Sequence, residues 1–380
     1  MRRLFRCIAA AAVATTVAAC GGAEHAKPPP TPAGPRLTPQ LARALDAVLR
    51  SDVAGTYIPG ASAAIVFPDG RVWSGAAGAA ILRPRTPMTR RTSINFDSVT
   101  KVATAALAMR LVEHGRLRLN DPIRRWFAAW DGDPHATIRD LLAHTSGLGD
   151  PSDRFLGGVL RHPDRPVTPA QVLAATPPPG PRTHEPEYSN AGFILLGVIL
   201  RRAAGEPVAT AMRRELFGAP GGEDLAMQPA ERPHPPLAHV YFYPDSGATP
   251  VDGKARGRYV PSFAWTDAVS TAGALAGDVP SLARWGHALL GGHILTPASL
   301  HAMSRFRTGG PWDGYGLGLA LSNIDDRPMW GHTGDGFGTH TEFWHLPHQD
   351  ITIAVSWNDD AQDTREPFLP DLLHAVLSRP

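Results

Sequence analysis

The chain of 380 residues contains only three lysines against 34 arginines, and one of the lysines lies close to a serine. In the segment Asp97–Lys101, Ser98 and Lys101 are three positions apart, so a helix would place them on one face. An amine beside a serine hydroxyl is one way to turn that hydroxyl into a nucleophile. The pattern therefore predicts a nucleophilic Ser98 at the first turn of a helix, where the helix dipole favours developing negative charge. A capping serine followed by a solvated lysine is the alternative.

Two further triplets contain groups able to assist such a serine. Tyr188-Ser189-Asn190 combines a phenol, which can act as a base when a cation lowers its pKa, with an amide that can donate to a carbonyl. His332-Thr333-Gly334 follows the strand-like Met329–Gly331, and a glycine at a strand edge lets a substrate backbone approach closely. Each triplet alone also fits a capping asparagine or a surface turn. All three in this order are much harder to attribute to chance.

Hydrophobic periodicity predicts the elements that would position these groups. Strands at Ala61–Phe67 and Arg71–Ala77 are joined by Pro68-Asp69-Gly70, which has the chemistry of a hairpin turn. A long amphipathic helix fits Ser98 to His114. A first helix is predicted from Thr38 onward. The other predicted helices are Ile138–Ala143, Pro169–Ala175, Ala191–Ala204, Val208–Phe217, Ser281–Leu290 and Phe368–Leu377. The other predicted strands are Gly316–Leu321, Thr341–Leu346 and Ile351–Trp357.

Strands near both ends of the chain, with helices between them, indicate an α+β fold. One antiparallel sheet would be built from both termini, at about 38–105 and 261–380, and flanked by helices. The intervening segment, about 106–260, is predicted to be an all-helical insertion. Residues 38–380 would then form one catalytic unit, with the cleft between the split sheet and its insertion.

The three triplets resemble those of the serine β-lactamase and D-alanyl-D-alanine carboxypeptidase superfamily, specifically its class C-like branch. In that branch Ser-x-x-Lys, Tyr-x-Asn and Lys/His-Thr-Gly line one cleft. The similarity covers roughly residues 38–375 and implies the β-lactamase/transpeptidase-like fold. Four longer segments also look like the family: LVEHGRLRLNDPI (111–123), TIRDLLAHTSGL (137–148), PGPRTHEPEYSNAGFILLGVIL (179–200) and YGLGLAL (315–321).

The resemblance implies catalytic roles for the matching residues. Ser98 would attack a carbonyl and form an acyl-enzyme. Lys101 and Tyr188 would move its proton, and which of the two is the general base stays open. The backbone N–H groups of Ser98 and Asp335 would form the oxyanion hole.

The resemblance also implies how a substrate is held, and three departures bear on the substrate class. Asn190 would hold an amide or acyl side chain, while His332, Thr333 and Gly334 would meet a carboxylate or support the proton network. His332 stands where β-lactamases commonly have lysine, so any positive charge there would depend on pH. Asp97 stands before the nucleophile, where the family commonly has a small residue. Asp335 follows the glycine, where small or hydroxylated residues are usual, and its charge could repel an anionic substrate.

The amino terminus has the features of an export signal. MRRLFRCIAAAAVATTVAACGG combines a basic start, an apolar stretch and small residues at its end. Val17–Cys20 resembles the bacterial lipobox, which predicts a signal peptide at 1–19 and lipidation of Cys20. A Pro-rich tether at 20–37 follows. We therefore expect a lipoprotein anchored to the outer face of a bacterial membrane, exported by the Sec or twin-arginine route. An ordinary secretory leader with a chance cysteine is the alternative.

Composition excludes several other classes. The formal charge of +2 includes three leader arginines, so the remainder is near neutral and nucleic acid is not an expected partner. Both cysteines, Cys7 and Cys20, lie in or next to the leader, so the folded part has no disulfide. Histidine pairs such as His345 and His348 lack convincing metal-ligand spacing. We expect no cofactor and no metal.

The sequence thus predicts an extracytoplasmic, monomeric serine hydrolase acting on an amide or ester. A D-alanyl-D-alanine carboxypeptidase-like activity on peptidoglycan stem peptides is the first expectation. A β-lactamase or an esterase acting on a small molecule is the alternative within the family. A lipoprotein that binds the cell wall without turnover is the alternative outside enzymes.

Overall fold

The computed structural model describes residues 34–242, 251–253, 262–359 and 368–378. The predicted signal peptide, Cys20 and the tether up to residue 33 lie outside the described residues. No helix within the described part of the chain is long and apolar enough to cross a membrane.

One antiparallel sheet made from both ends of the chain forms the centre of the fold. Its strands are β1 (Gly60–Val66), β2 (Val72–Ile81), β3 (Thr86–Pro87), β9 (Gly314–Tyr315), β10 (Ala320–Ile324), β11 (Arg327–Asp335), β12 (His340–Leu346) and β13 (Ile351–Trp357). Within the described residues the order is β3-β2-β1-β13-β12-β11-β10-β9. The two termini meet where β1 pairs with β13, with Ala61 opposite Trp357. The predicted α+β fold with a sheet from both termini is confirmed.

Helices cover both faces of this sheet, which explains why β1 is buried along its whole length. Alternate residues of a strand point to opposite faces. Ala61, Ala63 and Ile65 belong to one buried cluster, whereas Ala64 and Val66 belong to the other. The first cluster also contains residues of α1 (Pro39–Gly55) and α12 (Phe368–Leu377), and the second contains residues of α10 (Val279–Leu290).

The remaining helices pack with α10 in the second cluster. They are α2 (Thr100–Glu113), α3 (Ile123–Trp126), α4 (Ile138–Leu142), α5 (Asp153–Arg161), α6 (Pro169–Ala174), α7 (Asn190–Ala204), α8 (Val208–Glu215), α9 (Phe263–Gly273) and α11 (Pro297–Met303). Among them, α5, α6, α7 and α9 line the cleft. Side-chain caps fix where several of them begin; Ser189 Oγ, for example, accepts from Gly192 N at the start of α7.

Short strands complete the fold, and they show that the segment 106–260 is not purely helical. They are β4 (Ile94–Asn95), β5 (Ala226–Met227), β6 (Tyr241–Phe242), β7 (Val251–Asp252) and β8 (Leu275–Gly277). Three of them, β5 to β7, fall inside the predicted insertion. Two-residue strands are set by their partners, as β5 is by β8, and are too short to give an alternating pattern in the sequence.

Three boundaries near the site differ from those predicted. Ser98 lies in a 3₁₀ turn, Asp97–Val99, that precedes α2 rather than in the α-helix itself. The triplet beginning at His332 lies inside β11, not after a strand. The predicted strand Gly316–Leu321 is interrupted, because Gly318 has a φ of +69° and a Cβ there would lie 2.4 Å from Ala105 Cβ. The chain turns at this glycine to pass α2, and β10 begins only afterwards.

Candidate active site

Ser98 and Lys101 are in direct contact at the start of α2. The 3₁₀ turn followed by the helix places Lys101 Nζ 3.0 Å from Ser98 Oγ. Lys101 is fully buried, whereas Ser98 is partly exposed to the cleft. The predicted pairing of a hydroxyl with an amine is therefore present in the geometry.

Burial sets the protonation state of Lys101. Desolvation lowers its pKa to about 7, although the nearby carboxylates of Asp150 and Asp97 oppose this shift. Nζ also lies 2.8 Å from Asn190 Oδ1 and 2.9 Å from the carbonyl oxygen of Ala272. A neutral amine has two N–H groups, which match these two acceptors. Its lone pair is then left to accept the proton of Ser98 Oγ.

Tyr188 approaches the same hydroxyl from the loop before α7. Its phenol donates to Ser98 Oγ over 2.6 Å, and its ring centroid lies 4.7 Å from Lys101 Nζ. Burial raises the pKa of Tyr188 well above its ordinary value, and the hydrogen bond to Ser98 offsets this only in part. The lowered phenol pKa that a neighbouring cation could produce is thus not found. Tyr188 stays protonated and acts as a hydrogen-bond donor.

Asn190 connects the lysine to an acid that the sequence did not single out. Its Oδ1 accepts from Lys101, and its Nδ2 donates to Asp150 Oδ2 over 2.9 Å. Asp150 Oδ1 in turn accepts from the backbone N–H of Ala191, one of the free donors at the start of α7. The only sequence signal for Asp150 is its position two residues after the family-like segment that ends at Leu148. One N–H of Asn190 remains for a substrate.

His332 is buried and neutral. Its Nε2 lies 3.0 Å from the Tyr315 hydroxyl and its Nδ1 lies 2.5 Å from the carbonyl oxygen of Thr333. Desolvation lowers the pKa of His332 to about 3, and the charge of Lys101 contributes to this shift as a smaller cause. The pH-dependent positive charge considered for this position therefore does not arise near neutral pH. Thr333 lines the cleft beside it.

A second histidine, His144, was also not singled out from the sequence. Its ring packs against Tyr188, Phe193 and Tyr315, with centroid distances of 4.6, 5.0 and 4.8 Å. Its Nδ1 accepts from the backbone N–H of Ser189 over 3.1 Å. Burial keeps its pKa well below the ordinary value. His144 is therefore uncharged, and its packing and hydrogen bond hold the loop that carries Tyr188 in place.

Asp97 links the segment before the nucleophile to the segment after β11. It has a φ of +47°, and its two carboxylate oxygens each accept a bond of 2.6 Å, from Asn95 Nδ2 and from Thr339 Oγ1. A Cβ on Gly336 would lie 2.3 Å from this carboxylate, and one on Gly334 would lie 2.2 Å from a backbone oxygen of the same segment. These two glycines permit the close contact. Desolvation raises the pKa of Asp97 to about 7 against these hydrogen bonds.

Most of these groups line one cleft of about 760 Å³, whereas Lys101 and His144 are buried behind its wall. Ser98, Tyr188, Asn190 and Asp335 all face it, so both N–H groups proposed for the oxyanion hole belong to residues of this wall. An opposite, apolar part of the cleft is formed by side chains from α5, α6, α7 and α9: Leu156, Val172, Ile194 and Val269. The arrangement offers a nucleophile, a base, a proton donor and an apolar surface for a substrate side chain.

A separate polar cluster is formed by His287, His345 and Asp350, whose potential ligand atoms lie within 4.8 Å of one another. Thr352 Oγ1 lies within hydrogen-bond distance of both imidazoles, at 3.2 Å from Nδ1 of His287 and 2.9 Å from Nδ1 of His345. This hydrogen bonding gives the cluster a structural explanation. The expectation of a chain without a metal cofactor stays a prediction.

The link between Asp97 and Thr339 gives a testable prediction. Thr339→Val removes one of the two donors to a buried carboxylate and loosens the segment that carries the Asp335 N–H. We expect kcat to fall about tenfold or more with little change in KM, and the free energy of unfolding to fall by about 1–3 kcal/mol. Steady-state kinetics and urea denaturation measure the two effects.

Thr341→Val is the matched control, because the Thr341 hydroxyl bonds to Ser356 Oγ within the sheet, over 2.9 Å. It should lose stability without a comparable fall in kcat. Equal losses of kcat in both variants would show that Asp97 and Thr339 have no special role in positioning the site.

Comparison with known proteins agrees with this geometry. The family model described as Beta-lactamase matches residues 45–377. Penicillin-binding protein 4 of Amycolatopsis lactamdurans is 28% identical over 346 residues, covering 84% of this chain and 85% of the relative. Esterase EstB of Burkholderia gladioli is 31% identical over 212 residues; the match spans 50% of this chain and about half, 53%, of that relative.

A solved structure shows the same fold. D-amino acid amidase from Ochrobactrum anthropi SV3, in complex with L-phenylalanine amide, superposes with a TM-score of 0.76 at 24% identity, covering 89% of this chain and 96% of the amidase. Since the family model spans nearly the whole described chain and includes every residue of the cleft wall, we conclude that this protein belongs to the β-lactamase family of serine hydrolases.

Proposed function

We propose that the protein cleaves an amide or ester through an acyl-enzyme on Ser98, with Lys101 as the general base. The observation that supports this proposal most directly is the 3.0 Å contact between Lys101 Nζ and Ser98 Oγ, made by an amine whose pKa burial lowers to about 7. A base with a pKa near the working pH is the most effective kind. Tyr188, which stays protonated, is better suited to donate.

The proposed reaction has two stages. Ser98 Oγ attacks the substrate carbonyl carbon while its proton moves to Lys101, and the N–H groups of Ser98 and Asp335 hold the oxyanion. The bond to the leaving group breaks as the proton passes to that group, with Tyr188 as the relay. Water then attacks the acyl-enzyme with the same base, which releases a carboxylic acid and restores the Ser98 hydroxyl.

A non-catalytic binding lipoprotein fits the site less well. Burying a lysine and lowering its pKa costs stability, and a binding module gains nothing from an amine held against a serine hydroxyl. Two classes of substrate are candidates. The first is peptides or β-lactams that carry a carboxylate, as a carboxypeptidase activity requires, and the second is esters or amides without a carboxylate. The names of the relatives include a penicillin-binding protein and an esterase.

The acyl-enzyme gives the first prediction. Intact-mass measurement after mixing with p-nitrophenyl acetate or a penicillin should show an added acyl group that is absent in Ser98→Ala. Ser152→Ala, which changes a helix-capping serine at α5, should keep the adduct. An adduct that persists in Ser98→Ala would rule out Ser98 as the nucleophile.

The identity of the general base gives another prediction about the proposed reaction. Because Lys101 must be deprotonated to act, kcat/KM for a neutral ester should rise about tenfold per pH unit below pH 7 and level off above it. Tyr188→Phe should lower the rate but keep this limb near pH 7. A limb above pH 10 that disappears in Tyr188→Phe would instead assign the base to the phenol.

Export and lipid anchoring are proposed on the leader and lipobox alone. When the full chain is expressed in a bacterial host, labelled palmitate should be incorporated and the protein should sediment with membranes. Cys20→Ser should abolish both, whereas Cys7→Ser should change neither. Equal labelling of the two variants would contradict the anchor at Cys20.

A further inference from the structure

The helix α5 lies between two cavities. Its residue Leu156 lines the cleft that contains Ser98, whereas Phe155, Gly158 and Val159, on another face of the helix, line a second cavity of about 500 Å³. This rear cavity is also lined by residues from the loop after α5 and from α6: His162, Arg165, Pro166, Val167 and Gln171. One helix therefore separates the substrate cleft from a space into which that helix can move.

Few interactions hold α5 in its observed position. Val159 is the one buried residue among the nine of this helix, and its other large apolar side chains are only partly buried. In the part of the chain that the structure describes, residues 151–162 make hydrogen bonds only within this segment or with Arg165, and their charged groups form no ion pair. A helix with so few stabilising contacts opens or shifts at a low cost in free energy.

The chain is anchored on each side of α5. Before the helix, the Asp150 carboxylate accepts hydrogen bonds from the first two residues of α7, over 2.9 and 3.0 Å. After the helix, the Pro163 carbonyl and the Val167 N–H bond to residues of α9, over 2.9 and 3.1 Å. The segment 151–162 can therefore move between two fixed points while Asp150 and the catalytic groups stay in place.

The glycine pair in the middle of α5 is not required by its packing. Neither Gly157 nor Gly158 has a positive φ. A Cβ would meet only the end of the Arg161 side chain, at 3.3 Å from Gly157 and 3.9 Å from Gly158. Each glycine nevertheless costs the helix about 1 kcal/mol relative to alanine. The pair weakens the helix and leaves it without side chains beside the rear cavity, and both effects favour movement.

We propose that α5 is a movable wall of the cleft and that its position sets the size of the acyl group that the cleft accepts. In the observed position, Leu156 limits the apolar part of the cleft. Movement of α5 into the rear cavity withdraws Leu156, so that a longer acyl chain can pack against Ile194 and Val269. The inference rests on the proposed acyl-enzyme at Ser98, and it makes Leu156 a determinant of specificity that acts through the position of its helix.

Two esters with one leaving group and different acyl chains test the proposal. Gly158→Phe fills the rear cavity from α5 itself, so kcat/KM for p-nitrophenyl octanoate should fall about tenfold or more, with little change for p-nitrophenyl acetate. Gly157→Phe is the matched control, because Gly157 lines neither the cleft nor the rear cavity, and it should leave the ratio between the two esters unchanged. An unchanged ratio in Gly158→Phe, or a wild-type protein that turns over the acetate but not the octanoate, would contradict the proposal.

Thiol labelling measures the movement of α5 without a substrate. The full chain with Cys7→Ser and Cys20→Ser has no other cysteine, so Val159→Cys in this background reports when the buried face of α5 becomes accessible. Ala209→Cys, in α8, is the control, since Ala209 is 8% exposed and Val159 is 6% exposed. We expect dithionitrobenzoate to label position 159 about tenfold faster than position 209. Equal rates would show that α5 is fixed and would overturn the proposal even if Gly158→Phe does not fold.

The two experiments together separate this inference from the proposed reaction. If p-nitrophenyl acetate acylates Ser98 but position 159 is labelled as slowly as position 209, the reaction stands and the movable wall is wrong. If position 159 is labelled rapidly but neither ester acylates Ser98, the reaction is wrong, and the inference on the size of the acyl group falls with it.

Discussion

The burial of one amine governs the architecture of this site. Lowering the pKa of Lys101 from 10.5 to about 7 corresponds to a cost on the order of 5 kcal/mol. The unfolded chain takes up the proton more readily than the folded one, so this cost is full below pH 7 and declines as the pH rises toward 10.5. The rest of the fold must supply enough apolar burial to tolerate it.

The three groups that form hydrogen bonds with that amine come from separate elements, which is why the site requires the whole fold. Ser98 belongs to the turn before α2, Asn190 begins α7, and Ala272 lies in α9. These helices pack against one another, and the turn between β11 and β12 contacts the segment before the nucleophile through the hydrogen bond from Thr339 to Asp97. Reactivity here is a property of tertiary packing and not of any one motif.

Sequence patterns predicted the features of the structure that depend on neighbouring residues or on a regular hydrophobic spacing. The hairpin of β1 and β2, the helices α7, α10 and α12 and the strand β13 follow from periodicity and turn residues, and the three triplets converge on one cleft. The groups that the sequence left out, such as His144 and Asp150, act through contacts between distant segments. The protonation of His332 and Tyr188 was equally beyond the sequence, because desolvation depends on what packs around each ring.

The pairing of β1 with β13 also constrains how the molecule can be made. Ala61 and Trp357 are neighbours in the sheet but are separated by almost the entire chain, so β1 has no partner on that side until the carboxyl-terminal strand has been synthesised. Closing so long a loop before its contacts form makes folding slow. Neither β1 nor β13 can be removed without opening the middle of the sheet, so a form of this protein with a shorter catalytic unit would have to lose residues from the insertion instead.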